Sequence, residues 1–270
     1  MFNSLAELSR EDLINAFKSK ELVLYYQPIF NLKTSKFEAV EALVRWSHPT
    51  HGLILPEHFL PVAAEYHLIE EMGDWVLLTA CMQNKSWQEM GLMPIRIAVN
   101  VYDKQFHQND YVDKVKRILS ISKLNPKYLE LEVAENTIIQ ADDKEMIGRI
   151  DQLRKMGVQV ALDDFGMGYT SISHLKKVRV DRIKIDKSYI KNIHLNHDDE
   201  VIVNALITLS AGLNMLSLAE GVEEQAQLEQ LIRHGCNEAQ GYFFSEPLSS
   251  LETQEFLMLY QNNPFEYKLI

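Results

Sequence analysis

The sequence predicts an α/β fold: a TIM-like (β/α)8 barrel with an antiparallel first strand. Three observations predict it. Short β-branched, apolar runs alternate with amphipathic stretches along most of the chain, as in strand–helix units around a parallel sheet. The first two runs are separated only by Asn31–Lys36. That turn is too short for a parallel crossover, which needs about a dozen residues, so the first pair should be antiparallel. Finally, polar residues gather at the ends of successive strands, where such barrels carry their sites.

Leu5, Leu8, Leu13 and Phe17 recur near helical spacing, and Ser9 followed by Asp12 resembles a capping box. The chain should therefore open with a helix within residues 1–20. Strands are expected over Glu21–Phe30 and Phe37–Trp46, then helices over Pro56–Tyr66 and Glu71–Met90, the latter stopped at Gly91. From there strands at Ile95–Asn100, Tyr128–Val133, Val158–Asp164, Arg182–Ile185, Met215–Ala219 and Glu238–Gly241 are expected to alternate with helices. Those helices lie at Tyr111–Ser120, Lys144–Met156, near Ser171–Lys177, at Val201–Leu213, Gln225–His234 and Leu251–Tyr260. Without a linker or tandem repeat, residues 1–270 read as a single domain with a motif-bearing core over about 21–250.

Composition narrows the function. The 270 residues are 46% hydrophobic and 24% charged, ordinary for a soluble globular protein. A formal net charge of −11 argues against a nucleic-acid duplex or an anionic membrane as partner. Cys81 and Cys236 stand alone, which suggests reduced thiols and a cytoplasmic setting. Glu7, Arg10, Glu11 and Asp12 near the start do not read as a signal peptide. No apolar run reaches the eighteen or so residues of a membrane span.

The chemistry concentrates around Val158-Gln-Val-Ala-Leu-Asp-Asp-Phe-Gly-Met-Gly-Tyr169. A buried strand there ends in Asp163 and Asp164, and Gly166 and Gly168 allow tight turns. Two adjacent acids are costly to ionise together unless a cation sits between them. Taken alone, the pair is equally well explained by a turn cap and a solvated acid. The other strand ends tip the balance. Alternation puts Glu41, Leu43 and Arg45 on one face of the second strand, with Ala42 and Val44 toward the helices. Asn100, Glu132, Lys184 with Asp186, Glu220 and Gln240 stand at the ends of later strands, and Glu135 lies just past Glu132.

Glu41, Asn100, Glu132, Asp163, Asp164 and Glu220 offer only oxygen ligands, a set suited to hard divalent cations and large enough for two. Paired metals about 3.5–4 Å apart activate water and stabilise the leaving oxygen in phosphodiester cleavage. Lys184 would then orient the attacking water or stabilise the transition state. Arg45 has the fork for a phosphate or a guanine edge. His48, His51, His58 and His67 are irregularly spaced and read as loop histidines. The basic run Lys176-Lys177-Val-Arg179 reads as a solvated helix end.

These residues resemble the EAL domain, the bacterial cyclic-di-GMP phosphodiesterase. Glu41-Ala42-Leu43 stands within Val-Glu-Ala-Leu-Val-Arg-Trp. Tyr-Tyr-Gln27-Pro28-Ile precedes it. Ala-Val-Asn100, Leu-Glu-Val-Ala-Glu135, Asp163-Asp164-Phe-Gly-Met-Gly-Tyr, Lys184-Ile-Asp186, Ala-Glu220-Gly-Val-Glu223 and Gln240-Gly-Tyr-Phe-Phe-Ser-Glu-Pro247 follow in order. The resemblance implies hydrolysis of cyclic-di-GMP to linear pGpG with Mg²⁺ or Mn²⁺, and Ca²⁺, larger and more loosely coordinated, is expected to inhibit.

It also implies roles for individual residues. Glu41, Asn100, Glu132, Asp163, Asp164 and Glu220 would be metal ligands, with Glu41, Glu220 and Lys184 catalytic. Gln27, Leu43, Arg45, Asp186, Gln240 and Pro247 would line the substrate. Glu135 would anchor the loop after Asp164, and Glu223 would support the ligands from behind. A homodimer is implied, as is a sensor or GGDEF cyclase module if the chain belongs to a longer one. Ala134, where a Thr is usual, and Met167, where a Thr or Ala is common, depart from the pattern on the loop side. The rival expectation is a catalytically inactive member acting as a cyclic-di-GMP receptor or protein-interaction module. Such members lose ligands or the lysine, and here all of them are present.

Overall fold

Ser9 and Asp12 close a reciprocal cap. The Ser9 hydroxyl accepts from the Asp12 N–H at 3.2 Å, and the Asp12 carboxylate accepts from the Ser9 N–H at 2.9 Å. This cap starts α1 (Arg10–Lys18), which buries Leu13 and Ala16. The computed structural model describes residues 8–139, 143–166 and 172–262. Met167 and Gly168 thus lie outside the described residues, as does Leu5.

After α1 come β1 (Leu22–Asn31), β2 (Lys36–His48), β3 (Gly52–Ile54), α2 (Pro56–Glu65) and α3 (Ile69–Glu89). Next are β4 (Arg96–Val101), α4 (Asp103–Phe106), α5 (Tyr111–Ser122), β5 (Leu129–Ala134), α6 (Glu135–Ile139) and α7 (Asp143–Lys155). Then follow β6 (Gln159–Phe165), α8 (Ile172–Val178), β7 (Arg182–Ile185), α9 (Lys187–Ile190), α10 (His197–Gly212) and β8 (Leu216–Ala219). The series ends with α11 (Gln225–Arg233), β9 (Glu238–Ala239), β10 (Leu248–Ser249) and α12 (Ser250–Asn262).

Eight strands close on themselves in the order β1-β9-β8-β7-β6-β5-β4-β2-β1, with β3 and β10 as short additions. The pairs from β2 through β4 to β9 are parallel. β1 is antiparallel to both β2 and β9, as the short turn predicts. Closure leaves no free edge within the barrel.

The outward faces are apolar because helices cover them. Ile97, Val99, Leu131, Val133, Val160 and Leu162 are buried against that outer layer. The inside is layered, as in other barrels of this build. Ile29, Ala39, Ala98 and Leu218 form a small apolar layer across the middle. Below it lie Arg96, Glu130, Arg182 and Glu238, all buried. Above it lies the polar rim.

Several boundaries shift by a residue or two, and two of the differences have clear local reasons. α10 begins at His197 rather than Val201 because the Asn196 side chain accepts from the Asp198 N–H at 2.9 Å, ahead of an acidic first turn. β9 stops at Ala239 rather than Gly241, and the Gln240 carbonyl instead accepts from the Val222 N–H at 3.0 Å. The one-turn helices α4, α6 and α9 and the short β3 and β10 are too brief to leave a periodic signal.

Candidate active site

Adjacent residues on a regular strand point to opposite faces. Asp163 and Asp164 escape that rule. The pairing of β6 with β7 shifts register after Leu162, and Asp164 turns into the left-handed region at φ 53°. Such an irregularity re-aims side chains. One oxygen each of Asp163, Asp164 and Glu220 then lies within 4.8 Å of the others. The turn therefore begins at Asp164, two residues before the positive φ of Gly166 at 101°.

Lys184 stands at the centre. Its Nζ lies 2.9 Å from Glu220, 3.0 Å from Asp163, 3.0 Å from Glu132 and 3.7 Å from Glu41. It is 1% exposed, so water cannot screen these pairs. Burial opposes its charge, but Asp163, Glu132, Glu220 and Glu41 together hold the ammonium well above its usual range. One ammonium is not enough for the carboxylates. Like charges 4.8 Å apart repel by roughly 3–4 kcal/mol per pair at an effective dielectric of about 20. The excess shows in their proton affinities. Burial, with Asp163 and Glu41 adding, pushes Glu220 up to about 8 despite Lys184. Burial and then Glu41 push Glu132 well above its usual range. Burial and Asp163 raise Asp164.

Glu41 goes the other way. Burial would raise it, but Lys184 and hydrogen bonds from Gln240 and Asn100 hold it low. Asn100 Nδ2 donates to Glu41 at 2.7 Å, which leaves its amide oxygen turned to other use. Gln240 Nε2 donates to Glu41 at 2.8 Å and to Gln27 at 2.9 Å, and Gln27 donates to the Ser245 carbonyl at 3.1 Å.

Two hollows flank the Asp163–Asp164 pair. One, of about 380 Å³, is lined by Gln27, Glu41, Leu43, Arg45, Lys184 and Asp186, with Glu220, Glu223, Gln240 and Pro247 completing its wall. The other, of about 370 Å³, is lined by Asn100, Glu132, Ala134 and Thr137. Asp163 and Asp164 border both. Arg45 is half-buried, and its Nη1 donates to the Val44 carbonyl at 2.9 Å. Asp186 also caps α9, accepting from the Ser188 N–H at 2.9 Å. The Glu223 N–H donates to Gln227 at 2.7 Å. Glu135 borders neither hollow. Its carboxylate accepts from the Gly166 N–H at 3.0 Å, and the Gly166 carbonyl accepts from the Tyr189 hydroxyl at 2.7 Å.

The profile of the EAL domain family matches residues 10–247. The chain belongs to the EAL domain family. It is 41% identical over 237 residues to the Pseudomonas aeruginosa bifunctional diguanylate cyclase/cyclic di-GMP phosphodiesterase MucR, covering 88% of this chain and 34% of that protein. It is 37% identical over 251 residues to the cyclic di-GMP phosphodiesterase NbdA of the same organism, covering 93% of this chain and 32% of that one. The chain thus spans about a third of the length of these curated relatives. The solved PaMucR phosphodiesterase in complex with c-di-GMP superposes with a TM-score of 0.86 at 40% identity, covering 90% of this chain and 98% of that one. The EAL domain of Mycobacterium smegmatis DcpA gives 0.76 at 34% identity, covering 88% and 98%.

Sequence reasoning about this EAL domain missed Tyr242, which lines the first hollow while 61% exposed, and Lys187 and Gly221 beside it. Tyr242 lies past the end of β9 in a turn, where no strand period announces it. Sequence reasoning also missed the buried charged layer below the middle of the barrel. There the signal was present: Glu130 precedes Glu132, Arg182 precedes Lys184, and Glu238 precedes Gln240 by one pleat each.

Proposed function

We propose that this chain is a metal-dependent phosphodiesterase that hydrolyses cyclic-di-GMP to linear pGpG. The observation that carries the reading is the complete oxygen-donor set around Lys184, made of Glu41, Asn100, Glu132, Asp163, Asp164 and Glu220. The set fits Mg²⁺ or Mn²⁺. Glu132 is fully buried, and among the described residues its carboxylate meets only the Lys184 ammonium, 3.0 Å away, with no other hydrogen-bond donor on either oxygen. A buried carboxylate so sparsely met suits a hard cation. Lys184 alone does not balance Asp163, Asp164 and Glu220, and the raised proton affinities of Asp164 and Glu220 express a charge that a divalent cation would offset.

When bound, a metal pair supplies Lewis-acid activation of water and charge neutralisation at the phosphate. The chain's own residues do the rest. Gln240 and Asn100 fix the Glu41 carboxylate in one orientation and keep it ionised. Lys184 is placed to hold the attacking water by hydrogen bonding and to offset charge developing on the phosphoryl oxygens. Arg45, exposed to the first hollow, offers its guanidinium to a phosphate or a guanine edge. Gln27 and Gln240 complete a polar wall, while Leu43 and Pro247 give the ligand apolar contact.

A homodimer belongs to the same proposal, and attachment to a sensor or GGDEF module in a longer chain fits the relatives' greater length. Cys81 and Cys236 are free and buried, which fits a reducing cytoplasm. No helix among the described residues is long and apolar enough to cross a membrane.

The deciding experiment incubates the protein with cyclic-di-GMP and Mg²⁺ and follows pGpG by chromatography. We expect pGpG with Mg²⁺ or Mn²⁺, none with Ca²⁺ alone, and loss of product in Glu41→Ala. Ca²⁺ is larger and coordinates more loosely, so it holds the oxygens at unsuitable distances. Saturable binding of cyclic-di-GMP with no pGpG under any metal would replace this reading with that of a receptor.

A further inference from the structure

The opposite end of the barrel carries a further hollow, of about 440 Å³, lined by Arg154, Lys176, Arg179, Leu213, Asn214 and Met215. Met215 immediately precedes β8, and Arg179 stands three residues before β7. The hollow therefore opens at the N-terminal end of the strands, away from the rim that bears Lys184 and Glu220.

Its charge is unlike the rest of the molecule. The whole chain carries −11, yet this hollow has three cations and, among its lining residues, no acid. Arg154 is committed: its Nε and Nη2 donate to Asp181 at 3.1 and 2.8 Å. Lys176 and Arg179 have no carboxylate or hydrogen-bond partner among the described residues. Cations do complement the carbonyl end of a helix. That explains Arg154 and Lys176, which sit in the last turns of α7 and α8. It does not explain Arg179, which lies beyond the end of α8.

Arg179 holds a left-handed backbone at φ 48°. Glycine or asparagine takes that conformation readily, and other L side chains seldom do. Asn214, across the same hollow at φ 58°, is the ordinary case. Lys20, His67 and Lys123, each just past a helix, take the same conformation, so the backbone marks the end of α8, and the case for a ligand rests on the unpaired cations over the floor beneath them. Under the cations the floor is apolar, with Met215 5% exposed and Leu213 partly buried. A cationic lip over an apolar floor, at a size typical of small-ligand pockets, selects a ligand with a phosphate at one end and a flat ring at the other.

We infer that this hollow binds a nucleoside phosphate, with the phosphates on Lys176 and Arg179 and the base over Leu213 and Met215. The test is the melting temperature of metal-free protein titrated with ATP, GTP, tripolyphosphate or guanosine. We expect a saturable upward shift with a nucleoside triphosphate, a smaller one with tripolyphosphate and none with guanosine. Arg179→Gly should melt higher than wild type without ligand, because the left-handed backbone is relieved, yet lose the nucleotide shift. Lys176→Ala should weaken the shift several-fold, and Arg45→Ala, in the other hollow, should keep it. A shift that survives Arg179→Gly and disappears in Arg45→Ala would place the ligand at the opposite rim and overturn the inference. So would the absence of any shift. A tripolyphosphate shift equal to that of the nucleotides would overturn the role given to the apolar floor.

Discussion

Arg182 and Lys184 stand one pleat apart on β7, and both point into the barrel. The Arg182 Nε donates to Glu238 at 2.7 Å, while the Lys184 ammonium lies 3.0 Å from Glu132. One strand thus feeds a cation into each of two charged layers, separated by Ile29, Ala39, Ala98 and Leu218. The lower layer is closed. Arg182 also pairs with Glu130, and Arg96 reaches Glu238 at 3.1 Å and Glu130 at 3.4 Å. Its charges are two against two. The upper layer sets one ammonium against Glu41, Glu132, Asp163 and Glu220. The same architecture yields a balanced plug at one end and a cation-deficient site at the other.

The balanced layer makes stability sensitive to acid. Burial alone would raise Glu238, but Arg182 and Arg96 hold it below its usual range. A carboxyl depressed in the folded state contributes stability that is present above its unfolded value, about 4.3. That stability is lost as pH falls through the folded value. Glu238→Gln leaves Arg182 buried and under-paired, which costs about 3–5 kcal/mol. Urea titrations should show a large gap between wild type and variant at pH 7 that narrows steadily below about pH 4. A gap that stays constant across that range would show that Glu238 is not the acid-sensitive group.

Much of this arrangement is legible in the sequence, and the reason is the strand period. Glu41, Leu43 and Arg45 face one way because alternate residues must, and the first hollow gathers all three. The antiparallel β1 follows from a turn that no crossover could fit. The proximity of Asp163 to Asp164 is different. Alternation alone would separate them, and only the left-handed turn at Asp164 brings them together. That turn has no glycine at its first position to announce it. The buried quartet of Arg96, Glu130, Arg182 and Glu238 was hidden for another reason: its members come from four strands, so no local window contains the pairing.

Lys184 competes with any cation for the same oxygens, since it lies 2.9 Å from Glu220 and 3.0 Å from Asp163. Replacing it with a neutral side chain of similar length should therefore separate binding from chemistry. We expect Lys184→Met to need less Mg²⁺ for half-saturation, because a like charge has left the site. Turnover should fall by about 10²–10³-fold, the usual loss of one preorganised donor. Calorimetric titration of metal and steady-state turnover on the same preparation check both halves. A weaker Mg²⁺ midpoint would contradict the competition.

Gly241 tests how tightly the Gln240 turn is packed. A Cβ at this position would lie 2.0 Å from the Val222 carbonyl oxygen and 2.3 Å from its nitrogen. Both are backbone atoms, so neither can rotate aside. The Val222 N–H donates to the Gln240 carbonyl, and the Val222 carbonyl accepts from the Phe243 N–H, each at 3.0 Å. Gly241→Ala should cost about 1–3 kcal/mol or more from overpacking. It should also release Gln240 from Glu41, so turnover falls in whatever fraction remains folded. Circular dichroism melts and activity per folded molecule separate the two effects. Wild-type stability in this variant would show that the backbone of Val222 can yield to the added methyl.

Glu135 offers a case of a residue that acts on the metal site without touching it. Its carboxylate accepts from the Gly166 N–H at 3.0 Å, two residues past Asp164. The Tyr189 hydroxyl holds the Gly166 carbonyl at 2.7 Å from the other side. Gly166 is thus clamped at both its polar groups, in a φ of 101° that an L side chain rarely adopts. Fixing a residue's backbone costs roughly 1–2 kcal/mol, and a charge-assisted hydrogen bond offsets that cost. Without the clamp, Asp163 and Asp164 would sample more orientations, and a cation would have to order them on binding. Glu135→Ala should therefore raise the Mg²⁺ midpoint by about tenfold, the lower end of losses seen when residues behind metal ligands are removed. Turnover at sub-saturating metal should fall in proportion and recover in part at high Mg²⁺. Tyr189→Phe, which removes only the second hold, should give a smaller shift in the same direction. If turnover drops in Glu135→Ala while the Mg²⁺ midpoint stays at the wild-type value, the carboxylate serves something other than the geometry of Asp163 and Asp164.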